Sequence, residues 1–313
     1  MQTAGTTGRW GLIIRLAVTA TCLAVLAYAI DGQQLWAMMM RLSSAALLAV
    51  LTLHLGIILV LAWRWKTIVR ACGQCAKYDV ALRLTVSATF LNMILPFSVG
   101  GDICRVWFGR NVGIGLMSGT TIAVLDRIIG LISLGILLAV SAVCLPTADL
   151  PSELKMIMIL TLPMILIGLG ALILLSHLGA KQMLRFRDIS ASITTFMHHH
   201  AAMGVTLLTS LAAHVMAVLI FFVSAHGLGI GFSLIDALLF GPVILLATML
   251  PISLGGWGLR EAAAIVVLPV AGVTAEQALA MALMFGLTQL MVSGAGSIFC
   301  IGWSGFRFGG SRL

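Results

Sequence analysis

The stretch Pro96-Phe-Ser-Val-Gly-Gly-Asp-Ile-Cys-Arg105 has a counterpart later in the chain, Pro251-Ile-Ser-Leu-Gly-Gly-Trp-Gly-Leu-Arg260. Both copies fit the pattern P-x-S-x-G-G-x-x-x-R without a gap, and both lie in strongly apolar surroundings. Proline and paired glycines interrupt helices, so each copy predicts a helix that is broken inside an apolar segment. Interrupted helices at corresponding positions of two halves are typical of the substrate site of a membrane transporter.

The composition indicates a membrane protein. Of 313 residues, 61% are hydrophobic and 9% are charged, and a soluble domain could not bury so much apolar surface. We therefore predict an all-α polytopic membrane protein with a single transmembrane domain, 1–313, and no soluble domain. The net charge of +8 arises mainly in the loops, where basic residues set orientation and meet lipid headgroups. Nucleic acid is therefore not an expected partner.

Apolar segments of about 20 residues, long enough to cross a bilayer, predict six full transmembrane helices. They lie at 10–30, 43–63, 116–145, 154–176, 203–226 and 274–303. Two further apolar segments, 80–113 and 233–272, carry the breaks. Each has one arm of only about 13 residues, too short to cross a hydrocarbon core of about 30 Å. We predict that both are re-entrant broken-helix hairpins, and that their breaks meet near the middle of the membrane.

The distribution of basic residues predicts the orientation. If the N-terminus is cytoplasmic, the only lysine and arginine residues in the extracytoplasmic segments are Arg41 and Lys155. The inside segments hold Arg9, Arg64, Lys66, Arg70, Lys77, Arg83, Arg110, Lys181, Arg185, Arg187, Arg307 and Arg312. This positive-inside bias predicts a multi-pass protein of the cytoplasmic (inner) membrane with both termini in the cytoplasm. The hairpins then open to opposite sides, so 43–145 and 203–303 form an inverted-topology repeat; a parallel repeat would require one miscounted span.

The hairpin breaks supply the candidate substrate site. The second arm of each begins after the glycine pair, so its free N–H groups and helix dipole place partial positive charge inside the membrane. Arg105 and Arg260 follow one turn later, and a forked guanidinium suits phosphate oxygens. Asp126 and Arg127 lie about 15 Å into the third span by helical rise. The predicted substrate-binding residues are Asn92, Ser98, Gly100, Gly101, Asp102, Arg105, Asp126, Arg127, Ser253, Gly255, Gly256, Arg260 and Glu261.

These charged residues also have structural alternatives. Arg105 and Arg260 could pair with nearby acids, for which Asp102 and Glu261 are available. Asp126 could carry a proton, pair with Arg105 or fix helix packing. If the two arginines instead hold an anion in a hydrated chamber, alanine at either position should impair transport and leave the fold largely intact.

The sequence contains no motif that predicts a catalytic or cofactor site. Nucleotide-binding, metalloprotease and serine-hydrolase signatures are missing. Cys72-Gly-Gln-Cys75 is a C-x-x-C pair without two further zinc ligands nearby. We therefore expect no enzyme activity, no resident metal and no cofactor.

Several motifs resemble those of the membrane region of lysylphosphatidylglycerol synthase, a flippase-like family of integral membrane proteins. They are Arg64-Trp-Lys66, Phe90-Leu-Asn92, Leu95-Pro96 before Gly100-Gly101-Asp102 and Arg105, Leu125-Asp126-Arg127 with Gly130, and Pro251 to Glu261. The resemblance covers essentially the whole chain. It implies movement of amphiphilic lipids between leaflets; members are linked to aminoacylated phospholipids, polyprenyl- or dolichyl-linked intermediates and hopanoids. The soluble aminoacyl-transferase domain is missing, so no lysyl-lipid synthesis is expected, and Asp126 stands where the family's usual residue is Glu.

The expected function is that of a flippase-like lipid transporter. It would move a phospholipid, polyprenyl-linked lipid or hopanoid with a polar or anionic headgroup between leaflets or membranes. A secondary transporter of a small organic anion, sealed from lipid, is the first alternative. A membrane enzyme acting on a lipid-linked substrate, with Asp102, Asp126 or Glu261 as acid or base, is the second. Membrane lipids are the expected partners, and a homodimer and association with lipid-biosynthesis enzymes are left open.

Overall fold

The computed structural model describes residues 30–95, 100–145, 150–179, 194–249, 253 and 255–304, together with positions 17, 21 and 24. Ser98, the rest of the break at 96–99 and nearly all of the predicted span 10–30 lie outside the described residues. The described part is helical and contains no strand. Its helices are α1 (Gly32–Met40), α2 (Ser44–Ala71), α3 (Tyr78–Ile94), α4 (Gly100–Gly109), α5 (Leu116–Cys144), α6 (Ser152–Gly179), α7 (His200–Gly227), α8 (Leu234–Met249), α9 (Leu259–Val267) and α10 (Ala275–Ser304).

Four helical segments are long and apolar enough to cross a membrane. These are Ser44–Ala71, Leu116–Cys144, His200–Gly227 and Ala275–Phe299. They coincide with four of the predicted spans. The segment predicted to cross at 154–176 forms one continuous helix of 28 residues, α6, with Pro163 inside it. The total of six spans stays a prediction.

Helix α2 is longer than the sequence indicated. We predicted that its span ends at 63 and that Arg64 belongs to the cytoplasmic segment beyond it, and the orientation stays a prediction. The helix continues to Ala71, and Arg64 is buried against Asp126 of α5. A charged residue normally marks the end of an apolar span, and nothing local revealed a partner 62 residues away.

Each predicted hairpin consists of two short helices. The first has α3 and α4, with 17 and 10 residues, and the second has α8 and α9, with 16 and 9. At about 1.5 Å per residue, none of the four spans about 30 Å. Helix α4 packs back on α3, since a Cβ at Gly101 would collide with the carbonyl oxygen of Ala88. That the hairpins are re-entrant in a membrane stays a prediction.

The second break lies against the end of α3. Gly255 and Gly256, at the second break, have φ values of +56° and +84°, a region that favours glycine. A Cβ at Gly255 would lie 2.6 Å from the carbonyl oxygen of Asn92 and 2.7 Å from the Cα of Met93. The second break therefore contacts the last turn of α3 through backbone atoms. The inverted relation of the two halves stays a prediction.

Buried apolar side chains form two clusters that α2 and α5 connect. The larger contains Val50 of α2 and Leu134 and Leu138 of α5. The smaller contains Trp65 of α2 and Leu125 of α5. Arg64 of α2 and Asp126 of α5 are buried in the same bundle, so the fold holds charged groups among otherwise apolar helices.

Candidate transport cavity

A cavity of about 460 Å³ lies beside the larger apolar cluster and is lined in part by its members Ala217, Leu245 and Phe285. Helix α2 lines it with His54, Ile57, Ile58, Leu61 and Arg64, a spacing that places all five on one helical face. Helices α3, α4, α5, α7, α8, α9 and α10 complete the wall. The charged residues of the wall are Arg64, Asp102, Arg105, Asp126, Arg127 and Arg260.

Most of the predicted site residues line this cavity. They are Asn92, Asp102, Arg105, Asp126, Arg127, Gly255, Gly256 and Arg260. Gly100 and Gly101 are buried at the start of α4, and Ser253 and Glu261 are buried behind the wall. The N–H of Gly101 donates to Oδ1 of Asn92 at 2.7 Å. A side chain of the neighbouring helix α3 thus occupies one of the amides that we predicted would receive an anion.

Asp126 joins three helices. Its Oδ1 accepts a hydrogen bond from Nε of Arg64 at 2.8 Å, and its Oδ2 accepts one from Nη1 of Arg105 at 3.2 Å. Arg64 Nη1 also donates to Ser210 Oγ of α7 at 2.9 Å. Pairing with Arg105 is one of the roles that the sequence left open for Asp126. The carboxylate links α2, α4 and α5 at the wall of the cavity.

Asp102 forms the second acidic centre of this cluster. Its Oδ2 accepts hydrogen bonds from Nε and Nη2 of Arg127, at 2.8 and 2.6 Å. Its Oδ1 is 3.7 Å from Nη2 of Arg105, so Arg105 lies between two carboxylates and is held loosely by this one. Arg64, Arg105 and Arg127 together exceed Asp102 and Asp126 by one positive charge.

Arg260 and Glu261 form a separate buried ion pair. Nε and Nη2 of Arg260 donate to Oε1 of Glu261, at 3.0 and 2.5 Å. The N–H of Gly258 donates to Oε2 at 2.7 Å. The guanidinium also lies 5.0 Å from the ring centroid of Trp257 and 5.4 Å from that of Phe285. Arg260 therefore pairs with the adjacent acid, which is one of the alternatives that the sequence left open for it.

Three ionisable residues of the cavity wall were not predicted as site residues from the sequence. They are Arg64, His54 and His214. Nε2 of His214 lies 3.0 Å from the carbonyl oxygen of Gly130. Ionisable residues within apolar spans are functional candidates by default, and this rule would have identified both histidines. Among the described residues, no group of three or more His, Cys, Asp or Glu side chains could hold a metal ion.

The cavity and the two broken helices lie within the part of the chain that matches a known family. Residues 12–296 match the sequence model of the lysylphosphatidylglycerol synthase TM region. The chain belongs to this family. The match includes every charged residue of the cavity wall. The comparison with curated protein sequences found no match.

Proposed function

We propose that this member of the lysylphosphatidylglycerol synthase TM family is a flippase-like lipid transporter. It moves a lipid with an anionic or polar headgroup between leaflets, with the headgroup in the cavity and the acyl chains in the bilayer. The observation that carries the proposal is a cavity among membrane helices whose wall holds four arginines and two aspartates. Ionisable residues are expensive in a membrane and mark substrate pathways.

The size and charge of the cavity support a headgroup as its ligand. Its volume of about 460 Å³ lies within the range of small-molecule pockets, about 300–1,000 Å³. The excess of arginine over aspartate favours an anion, and guanidinium forks suit phosphate oxygens. Arg105 is the strongest candidate for a substrate ligand. If it binds a substrate anion instead, Asp126 still has Arg64 and Asp102 still has Arg127.

Reconstitution of the full chain into vesicles tests this function. Acyl-chain-labelled phosphatidylglycerol should reach the opposite leaflet faster than in protein-free vesicles, and Arg105→Ala should slow it at least about ten-fold, as expected for a lost charged contact. Arg110→Ala is the matched control, because Arg110 is exposed, stacks on Trp107 and does not line the cavity. Equal rates with and without protein would refute lipid transport. Exchange of soluble glycerol phosphate without lipid movement would favour the organic-anion alternative.

The proposed orientation predicts opposite accessibility for two native cysteines. Cys75, in the loop between α2 and α3, and Cys144, the last residue of α5, are both free and exposed. In variants that keep only one of them, an impermeant maleimide should label Cys75 in inside-out vesicles and Cys144 in right-side-out vesicles. Labelling of both from the same side would contradict the topology.

Cys72 serves as an internal control for that labelling. It is half-buried, and burial raises the pKa of its thiol to about 11. With this pKa the Cys72 thiol stays protonated near neutral pH. The thiolate is the form that reacts. A variant that keeps Cys72 as its only cysteine should therefore react much more slowly than the Cys75 variant.

A further inference from the structure

Two residues of the cavity wall carry a buried polar atom without a hydrogen bond. In the described part of the chain, five buried side-chain atoms make no hydrogen bond: Nε2 of His54, Oγ1 of Thr85, Nε of Arg105, Oγ of Ser224 and Oγ of Ser253. Burying a polar atom without a hydrogen-bond partner is destabilising, and native proteins leave few such atoms. His54 and Arg105 belong to the cavity wall. Their unpaired atoms therefore indicate contacts that a ligand would complete.

The surroundings of His54 fix what its free nitrogen can do. Nδ1 lies 3.2 Å from the carbonyl oxygen of Val50, which can only accept, so Nδ1 carries the hydrogen. Oγ1 of Thr288 is 3.3 Å from Nδ1 and donates its own hydrogen to Met284 O at 2.6 Å. No carboxylate among the described residues contacts the ring. Nε2 of the neutral imidazole is therefore a hydrogen-bond acceptor without a donor.

His54 and Arg260 contact the same aromatic ring. The His54 ring meets Phe285 edge-on, with centroids 5.0 Å apart, and the Arg260 guanidinium lies 5.4 Å from that centroid. Arg260 uses Nε and Nη2 on Glu261, while its Nη1 has no hydrogen bond to a described residue. We call His54, Arg260 and Phe285 the deep subsite. His54 precedes Arg64 by ten residues of α2, about 15 Å by helical rise, so this subsite is separate from the Asp126 cluster.

We propose that the deep subsite binds a headgroup carrying both an anionic oxygen, bound by Arg260, and a hydrogen-bond donor, a hydroxyl or ammonium group, bound by Nε2 of His54. This inference rests on the proposed function and names its substrate class. Phosphoglycerol and phosphoethanolamine headgroups carry both groups, whereas phosphocholine has the anionic oxygens and no donor. Nε2 is buried in the unliganded structure, so binding at this atom requires a neighbouring side chain to move.

Lipid binding to the purified full chain tests the proposal separately from transport. Native mass spectrometry would compare phosphatidylglycerol, phosphatidylethanolamine and phosphatidylcholine with identical acyl chains. At least one of the two donor-bearing lipids should bind about five-fold more tightly than phosphatidylcholine, as expected for one neutral hydrogen bond. Preference for phosphatidylglycerol alone identifies a hydroxyl donor, and preference for phosphatidylethanolamine alone identifies an ammonium donor.

The variant His54→Phe keeps a ring against Phe285 and removes the hydrogen-bond acceptor. Its affinity for the donor-bearing lipids should therefore equal its affinity for phosphatidylcholine, because one hydrogen bond is lost. Ser224→Ala is the matched control, because Ser224 Oγ is also buried and unpaired but lies outside the cavity wall; it should keep the preference. Equal binding of the three lipids to the unaltered protein would overturn the inference without any variant. Persistence of the preference in His54→Phe would overturn it as well. If the unaltered protein showed the binding preference but did not translocate lipid, the proposed function alone would be refuted.

Discussion

Replacing Arg260 with alanine should destabilise the protein by about 3–5 kcal/mol, the usual cost of leaving one member of a buried ion pair without its partner. Arg260 and Glu261 are 2% and 0% exposed. Without the guanidinium, the N–H of Gly258 is the one hydrogen-bond donor that the described residues still offer to the carboxylate. Thermal unfolding of the purified protein in detergent should show a large fall in the melting temperature. The double variant Arg260→Ala, Glu261→Ala should recover part of the loss, because it removes the stranded charge.

Arg105→Ala is the informative comparison for that experiment. Asp126 would keep Arg64, and Asp102 would keep Arg127, so no buried carboxylate would be stranded. We expect a fall of less than about 1 kcal/mol in stability, the scale of an ordinary substitution, together with a clear loss of lipid transport. Arg105→Lys keeps the charge without the fork and should rescue transport in part. An equal loss of stability in Arg105→Ala and Arg260→Ala would contradict this distinction.

Asp126→Asn should be the second strongly destabilising substitution. Arg64 and Arg105 are each about one-tenth exposed, and both donate to this carboxylate. An amide of the same size removes their shared counter-charge, and breaking a buried pair costs about 3–5 kcal/mol. Chemical or thermal unfolding in detergent measures the change. Asp79→Asn is the matched control, because Asp79 is exposed in the first turn of α3 and should change stability by less than about 1 kcal/mol.

A double-variant cycle identifies the origin of the Asp126 effect. If the cost arises from the stranded Arg64, then Arg64→Gln added to Asp126→Asn should restore part of the stability, and the two effects should not add. Arg105 keeps Asp102 nearby in that double variant. Strict additivity of the two substitutions would show that Asp126 stabilises the bundle by some other contact.

The broken helices were predictable because proline and glycine act locally. The pattern P-x-S-x-G-G-x-x-x-R specifies an interruption through backbone conformation alone, and the structure has α3 and α8 ending before the two copies. The pairing of Arg260 with Glu261 was also predictable from the sequence, since the two residues are adjacent. From the sequence we expected Arg105 and Arg260 to respond alike to alanine, and their different partners now separate them.

The contacts of Arg64 and His54 were not predictable from local patterns. Arg64 reaches a partner 62 residues away, and His54 reaches Thr288 across 234 residues. Such contacts depend on the packing of helices distant in sequence, which apolar periodicity does not specify. A charged residue after 20 apolar ones was interpreted as the end of a span, whereas the helix continued and buried the charge.

The contact between Gly255 and the end of α3 has a mechanical consequence. The nearest atoms that a Cβ at Gly255 would meet are backbone atoms of Asn92 and Met93. Backbone atoms cannot move aside as the end of a flexible side chain can. The two hairpins therefore approach each other more closely than any residue other than glycine at position 255 would allow. A side chain at position 255 would act as a wedge at that contact and hold the hairpins apart.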